Sequence, residues 1–310
     1  MTILITGVHG FVGSNLVRYL APEHTIYGLD IVSPEKEGVR KTFSWDDLES
    51  GVVPEVDAVI HLAGLAHDLK KQAEAEKYFK VNTGLTQKIY DWFLASPSVK
   101  KFVFFSTAKA AADRVEGILT EDVTPAPVGP YGESKIRAEN YILAHPADGK
   151  SVYILRPCMI HGPGNKGNLN LLYNVVSKGI PWPLGAFENR RTFTSVENIC
   201  FVVEGLLEKD VPSGIYNMGD DEALSTNELI GLICEVLGEK ARIWRIPRGL
   251  MEAVARIGGW LHLPLNPDRM QKLTENYVSS NAKIKAALGV ETLPVPAREG
   301  LRRTIRSFSA

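Results

Sequence analysis

The chain opens with an apolar strand that runs directly into a glycine-rich turn and then a helix. Ile-Leu-Ile-Thr occupies residues 3–6, and Gly7, Gly10 and Gly13 follow. In this G-x-x-G-x-x-G spacing, Gly7 permits a tight turn, Gly10 allows a close backbone approach, and Gly13 lets the helix pack against the strand. The N–H groups at such a helix start bind the pyrophosphate of a dinucleotide. The segment therefore predicts a nucleotide-binding strand in a parallel sheet.

Strand and helix patterns alternate through the first half of the chain. This alternation predicts an α/β fold, a Rossmann-type doubly wound parallel sheet with helices on both faces. After Arg156 the pattern is irregular; a strand and helix are then predicted within Thr192–Leu207 and a strand around Gly214–Met218. The remainder predicts a smaller, mainly helical C-terminal substrate domain. The other predicted strands are Ile3–Thr6, Thr25–Leu29, Ala58–Leu62, Phe102–Ser106 and Val152–Arg156, and the predicted helices are Val12–Leu20, Ala73–Leu94 and Tyr131–Ala144.

These patterns divide the chain into two discontinuous domains. Residues 1–164 and 192–218 are assigned to the dinucleotide-binding domain, and residues 165–191 and 219–310 to the substrate domain. The net charge of -1 argues against a general nucleic-acid binder. No apolar run reaches the roughly 18 residues that a membrane span needs. Cys158, Cys200 and Cys234 are far apart and predict reduced, structural thiols in a cytoplasmic protein.

An acidic residue follows the second predicted strand in Tyr27-Gly28-Leu29-Asp30. A carboxylate at this position accepts hydrogen bonds from the adenosine ribose and repels a 2′-phosphate. No arginine follows closely, so Asp30 favours NAD over NADP as the cofactor. No ligand spacing predicts a metal site, and His9, His67 and His161 are expected to be solvated or satisfied histidines.

Pro130-Tyr131-Gly132-Glu133-Ser134-Lys135 places a phenol and an ammonium four residues apart. On a helix the two side chains share one face. A neighbouring lysine favours the phenolate and is expected to lower the pKa of Tyr131 toward neutrality. Together with a dinucleotide site, this pair predicts hydride transfer at a carbinol or ketone.

Several further segments carry a family resemblance over essentially the whole chain. They are Thr6-Gly7-x-x-Gly10-Phe11-x-Gly13, His61-Leu62-Ala63-Gly64, Val81-Asn82, Ser106-Thr107, Tyr131-x-x-x-Lys135 and Arg156-Pro157. With them the chain resembles the extended short-chain dehydrogenases/reductases, in the branch of NAD-dependent nucleotide-sugar epimerases, dehydratases and 4-ketoreductases. The resemblance implies that Thr107, Tyr131 and Lys135 are catalytic. It also implies cofactor contacts at Gly7, Gly10, Phe11, Val12, Gly13, Asp30, Leu62, Ala63, Gly64, Asn82, Ser106, Tyr131, Lys135 and Pro157.

Within that family, the residues after Thr107 separate reaction types. The 4,6-dehydratases resemble one another in an Asp-Glu pair at this point, whereas this chain has Ala108 and Lys109. The resemblance therefore favours a 4-epimerase of a UDP-hexose or UDP-HexNAc, with a role in polysaccharide biosynthesis. A 4-ketoreductase of a UDP-6-deoxy-4-keto sugar is the alternative, because the same residues serve both reactions. A non-catalytic dinucleotide-binding scaffold is a third hypothesis.

By the same resemblance, the substrate's diphosphate is held by Asn168, Arg191 and Arg269. A planar guanidinium suits bidentate binding of phosphate oxygens. Lys109 is either a substrate contact or a solvated lysine, and Trp182 and Phe187 are expected to be core residues rather than base-stacking rings. The chain departs from the family pattern at Met159, at Ala110-Ala111-Ala112, and at Asp46 in Ser44-Trp45-Asp46.

The sequence leaves two questions open, one about assembly and one about the substrate. The resemblance allows a homodimer through a helix bundle that includes Ala73–Leu94. A lipid-linked sugar diphosphate is an alternative substrate, because Trp260-Leu261-His262-Leu263 has the composition of a membrane-touching face. An ordinary buried helix is the expectation for that segment.

Overall fold

A computed structural model describes residues 1–66, 75–165, 167–260 and 266–308. Its centre is a seven-stranded sheet in which every neighbouring pair is parallel, with the order β10-β7-β5-β4-β1-β2-β3. Two small two-stranded sheets, β6 with β11 and β8 with β9, lie outside it. The strands are β1 Thr2–Thr6, β2 Thr25–Leu29, β3 Lys41–Phe43, β4 Ala58–His61, β5 Lys101–Phe105, β6 Ile118–Leu119, β7 Ser151–Pro157, β8 Met159–His161, β9 Phe193–Ser195, β10 Gly214–Met218 and β11 Val278–Ser279.

Helices cover both faces of the sheet, as the strand and helix alternation predicts. One apolar core joins β1, β5 and β7 to α1 and α8, and the opposite core joins β4, β5 and β7 to α4 and α6. The helices are α1 Phe11–Leu20, α2 Trp45–Glu49, α3 Ala75–Tyr78, α4 Leu85–Ala95, α5 Ala108–Ala111, α6 Pro130–Ala144, α7 Asn168–Val176, α8 Val196–Glu208, α9 Thr226–Leu237, α10 Arg248–Trp260, α11 Pro267–Thr274, α12 Ala282–Leu288 and α13 Ala297–Arg306. The predicted Rossmann-type fold is confirmed.

The predicted helix Ala73–Leu94 is not continuous. Its first two residues lie outside the described residues, and a π-helical turn at Phe79–Gly84 separates α3 from α4. The hydroxyl of Thr86, at the start of α4, donates to the carbonyl oxygen of Asn82 in this turn at 2.6 Å. Single π-helical turns in an α-helix are frequent at functional sites, and this one presents Asn82.

Part of the C-terminal segment packs against the main sheet. Ile284, Leu288 and Leu293, which lie in the residues assigned from the sequence to the substrate domain, pack into the core beneath this sheet. For the segment Trp260-Leu261-His262-Leu263, the expectation of an ordinary buried helix is wrong at Trp260, which is 81% exposed. Leu261–Leu263 lie outside the described residues. No helix among the described residues is long and apolar enough to cross a membrane.

Candidate active site

The glycine turn joins β1 to α1 at the carboxyl edge of the sheet. Gly7 has φ +68°, and a Cβ there would lie 2.9 Å from the backbone nitrogen of Ala63. A Cβ on Gly13 would lie 2.5 Å from the carbonyl oxygen of Gly7, so both positions require glycine. The helix starts at Phe11 with no side-chain cap on Gly10. The N–H groups of its first turn, which includes Val12, are therefore available to an anion.

Asp30 lies directly after β2 and is held against this turn. One carboxylate oxygen accepts the N–H of His9 at 3.1 Å, and the other accepts the N–H of Ile31 at 2.8 Å. The carboxylate thus sits beside the predicted pyrophosphate site. His9 departs from expectation, because its Nε2 is buried and has no hydrogen-bond partner among the described residues.

Replacing Asp30 by alanine is expected to weaken NAD binding by about tenfold to a hundredfold, since hydrogen bonds to a charged group contribute about 1.5–3 kcal/mol. NADP binding should change less, because the repulsive carboxylate disappears along with the ribose contact. Isothermal titration with both cofactors measures the change. An unaltered preference for NAD over NADP would remove Asp30 from the adenosine site.

The loop after β4 is tied to the glycine turn through Thr6 and His61. The hydroxyl oxygen of Thr6 accepts the N–H groups of Leu62 and Ala63 at 3.1 and 3.0 Å. His61 is buried between Thr6 and Thr86, with ring nitrogens 2.6 and 2.9 Å from their hydroxyl oxygens. Burial, and then the charge of Lys135, lower the pKa of His61 well below its ordinary value. This neutral imidazole ties β4 to β1 and to α4 beside the glycine turn.

Asn82 anchors the same loop from the opposite side. Its amide oxygen accepts the N–H of Leu65 at 2.7 Å, and its amide nitrogen donates to the carbonyl of Leu65 and to the hydroxyl of Ser134 at 3.1 and 2.9 Å. A Cβ on Gly64 would lie 2.9 Å from that amide oxygen and 3.1 Å from Nζ of Lys135. Gly64 therefore allows the loop to reach helix α6, which carries Tyr131 and Lys135.

The phenol of Tyr131 lies beside the hydroxyl of Thr107. Thr107 precedes α5, and its hydroxyl oxygen accepts the N–H of Lys109 at 3.3 Å. Gly132 lets the two helices meet, because a Cβ there would lie 2.7 Å from the carbonyl oxygen of Lys109. Burial raises the pKa of Tyr131, and a hydrogen bond with Thr107 offsets part of that rise. The structure thus brings together two of the three predicted catalytic groups directly.

The ammonium of Lys135 is buried one turn further along α6. It donates to the carbonyl of Phe105 at 2.8 Å and lies 5.0 Å from the centre of the Phe104 ring. Burial lowers the pKa of Lys135 to about 8, although the charge of Glu139 opposes this shift. The expected lowering of the Tyr131 pKa by this lysine is not found in the described structure, because burial of the phenol raises that pKa and only the hydrogen bond with Thr107 lowers it.

The pH dependence of turnover is expected to follow Lys135. Its folded-state pKa is depressed from 10.5 to about 8, so the charged ammonium is lost above about pH 8 and kcat/KM should fall there. The free energy of unfolding changes in the opposite direction. Between these two pKa values the unfolded state binds the proton of Lys135 and the folded state releases it. From this group alone, the free energy of unfolding therefore rises with pH over that window. Parallel kcat/KM and urea-unfolding series test both trends, and a flat kcat/KM profile through this window would contradict the assignment.

A buried charge network, which was not predicted from the sequence, joins helix α6 to strand β7. The guanidinium of Arg156 binds Glu139 with Nε 3.1 Å from each carboxylate oxygen. The same carboxylate accepts the hydroxyl of Ser106, and Arg156 and Glu139 are 1% and 0% exposed at their side chains. Glu139 lies four residues after Lys135 in the Tyr131 motif, so a helical wheel places it on the same face. Pro157 ends β7 directly beyond this network.

The predicted substrate residues Asn168 and Arg191 lie between β8 and β9. Arg191 is partly buried, its Nη1 donates to the carbonyl of Lys272 at 2.9 Å, and burial lowers its pKa. Asn168 is the first residue of α7 and Arg269 lies in α11. Lys109 is held by the carbonyl and carboxylate of Asp113 at 2.6 and 3.1 Å, which gives it a structural partner.

The remaining singled-out residues have structural surroundings. Trp182 and Phe187 lie in or against an apolar cluster of the C-terminal part, as expected. Both ring nitrogens of buried His161 have partners, Thr304 at 2.9 Å and Asp220 at 3.2 Å, which confirms a satisfied histidine. His67 lies outside the described residues. The family departures Met159, Ala110 and Asp46 lie in β8, α5 and α2.

A family model places these features in a known group. Residues 3–219, which contain the glycine turn, Asp30 and the Thr107–Tyr131–Lys135 group, match the NAD dependent epimerase/dehydratase family. The chain belongs to this family. It is accordingly an NAD-dependent enzyme of the extended short-chain dehydrogenase type, and the glycine turn and Asp30 fit that cofactor. The resemblance stated from the motifs is confirmed.

Relatives in this epimerase/dehydratase family differ in the reaction that they catalyse. The chain is 30% identical to a UDP-glucose 4-epimerase of Vibrio cholerae over 99% of this chain and 95% of that protein. It is 26% identical to a GDP-6-deoxy-D-mannose reductase of Pseudomonas aeruginosa over 82% of this chain and 86% of the reductase. Its fold matches the UDP-glucuronic acid 4-epimerase of Bacillus cereus in complex with UDP-glucuronic acid and NAD, with a TM-score of 0.77, 20% identity, and 100% and 99% of the two chains covered.

Proposed function

We propose that this family member is a UDP-hexose or UDP-HexNAc 4-epimerase that works through a transient 4-keto sugar. The observation that carries the proposal is the position of the Tyr131 phenol beside the Thr107 hydroxyl, with Lys135 one turn away beside the Gly64 loop. A proton-handling group next to a dinucleotide site is what oxidation of a carbinol requires. The proposal rests on Tyr131 and Thr107 acting on one sugar oxygen and on Lys135 acting on the phenol of Tyr131.

Tyr131 takes the proton from the sugar C4 hydroxyl and later returns it, and the hydroxyl of Thr107 orients that oxygen between them. NAD, when bound at the glycine turn, supplies a hydride acceptor and donor for C4. The buried ammonium of Lys135 stabilises negative charge on the phenol oxygen, an interaction that strengthens where water is excluded. Net redox is zero, because the hydride returns to the opposite face of the rotated sugar.

Arg191 is proposed to hold the diphosphate while the sugar rotates. A guanidinium has five N–H donors, and one nitrogen of Arg191 is already fixed by the Lys272 carbonyl, so the group is oriented before substrate arrives. The UDP assignment follows the Vibrio cholerae relative, which is a UDP-glucose 4-epimerase. Asn168 and Arg269 complete the proposed substrate contacts.

A 4-ketoreductase is the second candidate, and the pKa of Tyr131 favours it. Because burial raises that pKa, the phenol is protonated in the free protein and is set to donate to a ketone oxygen. The Pseudomonas aeruginosa relative, a GDP-6-deoxy-D-mannose reductase, supports this candidate. A 4,6-dehydratase is disfavoured, because the methyl group of Ala108 cannot protonate a leaving hydroxyl.

Product analysis with UDP-glucose, UDP-GlcNAc and UDP-glucuronic acid separates the candidates when NAD is present only in trace amount. An epimerase forms the C4 epimer of at least one sugar in large excess over the NAD supplied. A ketoreductase forms no epimer but oxidises NADH when a UDP-4-keto-6-deoxy sugar is added. If the protein is intact and binds NAD but carries out neither reaction, the result favours the scaffold.

A further inference from the structure

Helix α10 has two apolar faces, and only one of them packs against the rest of the protein. Met251, Ala255 and Gly258 are buried toward the body of the C-terminal part. A second apolar arc faces outward, with Leu250 57%, Val254 44%, Ile257 58% and Trp260 81% exposed. Leu250, Val254 and Ile257 follow the i, i+4, i+7 spacing of one helix face, so these side chains form a continuous strip.

The surroundings of this strip are basic. Lys240, Arg242, Arg245, Arg248 and Arg256 are all exposed in and just before α10, against the acids Glu239 and Glu252. This local excess of positive charge contrasts with the net charge of -1 for the whole chain. Trp244 in the same segment is 57% exposed. Exposed tryptophans beside aliphatic residues and cations are typical of helices that lie in a membrane interface.

We propose that α10 docks the protein on an anionic membrane surface. The strip of Leu250, Val254, Ile257 and Trp260 enters the boundary between headgroups and acyl chains, and the arginines bind acidic headgroups. This docking goes beyond the proposed epimerase activity and does not depend on it.

A second copy of the chain fits the same face poorly. In a two-fold symmetric dimer the patch would face itself, which would bring the cations of both copies together. A stable interface also needs about 800 Å² from each partner and about 20–30 residues. One helix of 13 residues with a few exposed side chains does not supply that area. An anionic bilayer satisfies both the charge and the shape of the strip.

Docking by α10 would also orient the substrate side of the protein. α10 packs against α11, and the Lys272 carbonyl in α11 holds Arg191. The membrane would then lie on the side of the molecule that carries the proposed diphosphate contacts. A sugar diphosphate attached to a lipid would be within reach of such an orientation, whereas turnover of a water-soluble UDP-sugar needs no membrane.

Co-sedimentation of the full chain with vesicles tests the docking. We expect binding to vesicles of phosphatidylcholine mixed with phosphatidylglycerol, and weak binding to phosphatidylcholine alone. The double variant Leu250→Ser/Ile257→Ser should bind about a hundredfold more weakly, because each buried aliphatic side chain changes the partition about tenfold. Arg245→Gln should weaken binding about fivefold. The matched control Val52→Ser/Leu143→Ser, which removes exposed aliphatic groups elsewhere, should bind like the wild type.

Three results would overturn the docking. The first is that the wild type sediments with neither kind of vesicle, and the second is that the double variant binds as tightly as the wild type. The third is a dimer in light scattering that the double variant converts to a monomer, which would make α10 an interface between copies. Turnover of a soluble UDP-sugar by the double variant should equal that of the wild type. This readout separates a failure of the docking from a failure of the proposed reaction.

Discussion

Replacing Tyr131 by phenylalanine is expected to lower kcat about 10²–10⁴-fold, the usual contribution of a positioned acid or base. The ring stays in place, so its contact with Tyr78, at 6.4 Å between centroids, is preserved. Only the oxygen that bonds to Thr107 is lost. NAD affinity and the free energy of unfolding should therefore change little, and steady-state kinetics with NAD titration measure the separation.

Tyr141→Phe provides the matched control on the same helix. The Tyr141 hydroxyl donates to Asp91 at 2.6 Å on the surface, away from the glycine turn. Its loss should leave kcat unchanged. Equal losses of activity in the two variants, or an active Tyr131→Phe enzyme, would remove Tyr131 from the chemistry and favour a scaffold function.

Replacing Glu139 by glutamine is expected to lower the free energy of unfolding by about 3–5 kcal/mol, because Arg156 would remain buried without its counter-charge. The side chains of this pair are 1% and 0% exposed, and the Nη1 atom of Arg156 already lacks a partner among the described residues. A second effect is expected on activity. Since the charge of Glu139 raises the pKa of Lys135, its loss should move the alkaline fall in kcat/KM to lower pH.

Urea unfolding and a pH profile of kcat/KM measure the two effects of Glu139→Gln. The surface pair Arg303–Glu197, at 2.9 Å and with both side chains over 40% exposed, supplies the control. Glu197→Gln should change stability by less than about 1 kcal/mol. The double variant Glu139→Met/Arg156→Met should regain most of the lost stability. An unshifted alkaline fall would show that Glu139 acts only as a structural residue.

Local sequence was sufficient to predict the parts of the site that depend on local geometry. Gly7 adopts a positive φ within its own turn and Gly13 is required by contacts with Gly7 and Val8, and Asp30 follows a strand whose register the apolar pattern already indicates. The phenol and ammonium of Tyr131 and Lys135 share one helix, so their spacing predicts a common face. These features need no knowledge of distant partners.

Features that depend on contacts between distant segments could not be predicted from the sequence. The Ser106–Glu139–Arg156 network joins the end of β5, helix α6 and strand β7, and each residue alone is typical of a solvated surface. The Tyr131 pKa depends on burial from several elements, so the nearby lysine was a misleading guide. Likewise the exposed side of α10 depends on which neighbours the fold provides. Strand β3 was not predicted, because it contains only three residues.

The fate of the hydrogen at C4 distinguishes a recycling 4-epimerase from every other candidate. A UDP-sugar that carries deuterium at C4 is incubated with the protein and a trace of NAD, and both epimers are analysed by mass spectrometry and NMR. We expect an epimer that keeps its deuterium at C4, in large excess over NAD and without accumulation of NADH. Loss of deuterium from C4, or product formation only in proportion to added cofactor, would contradict a recycling 4-epimerase.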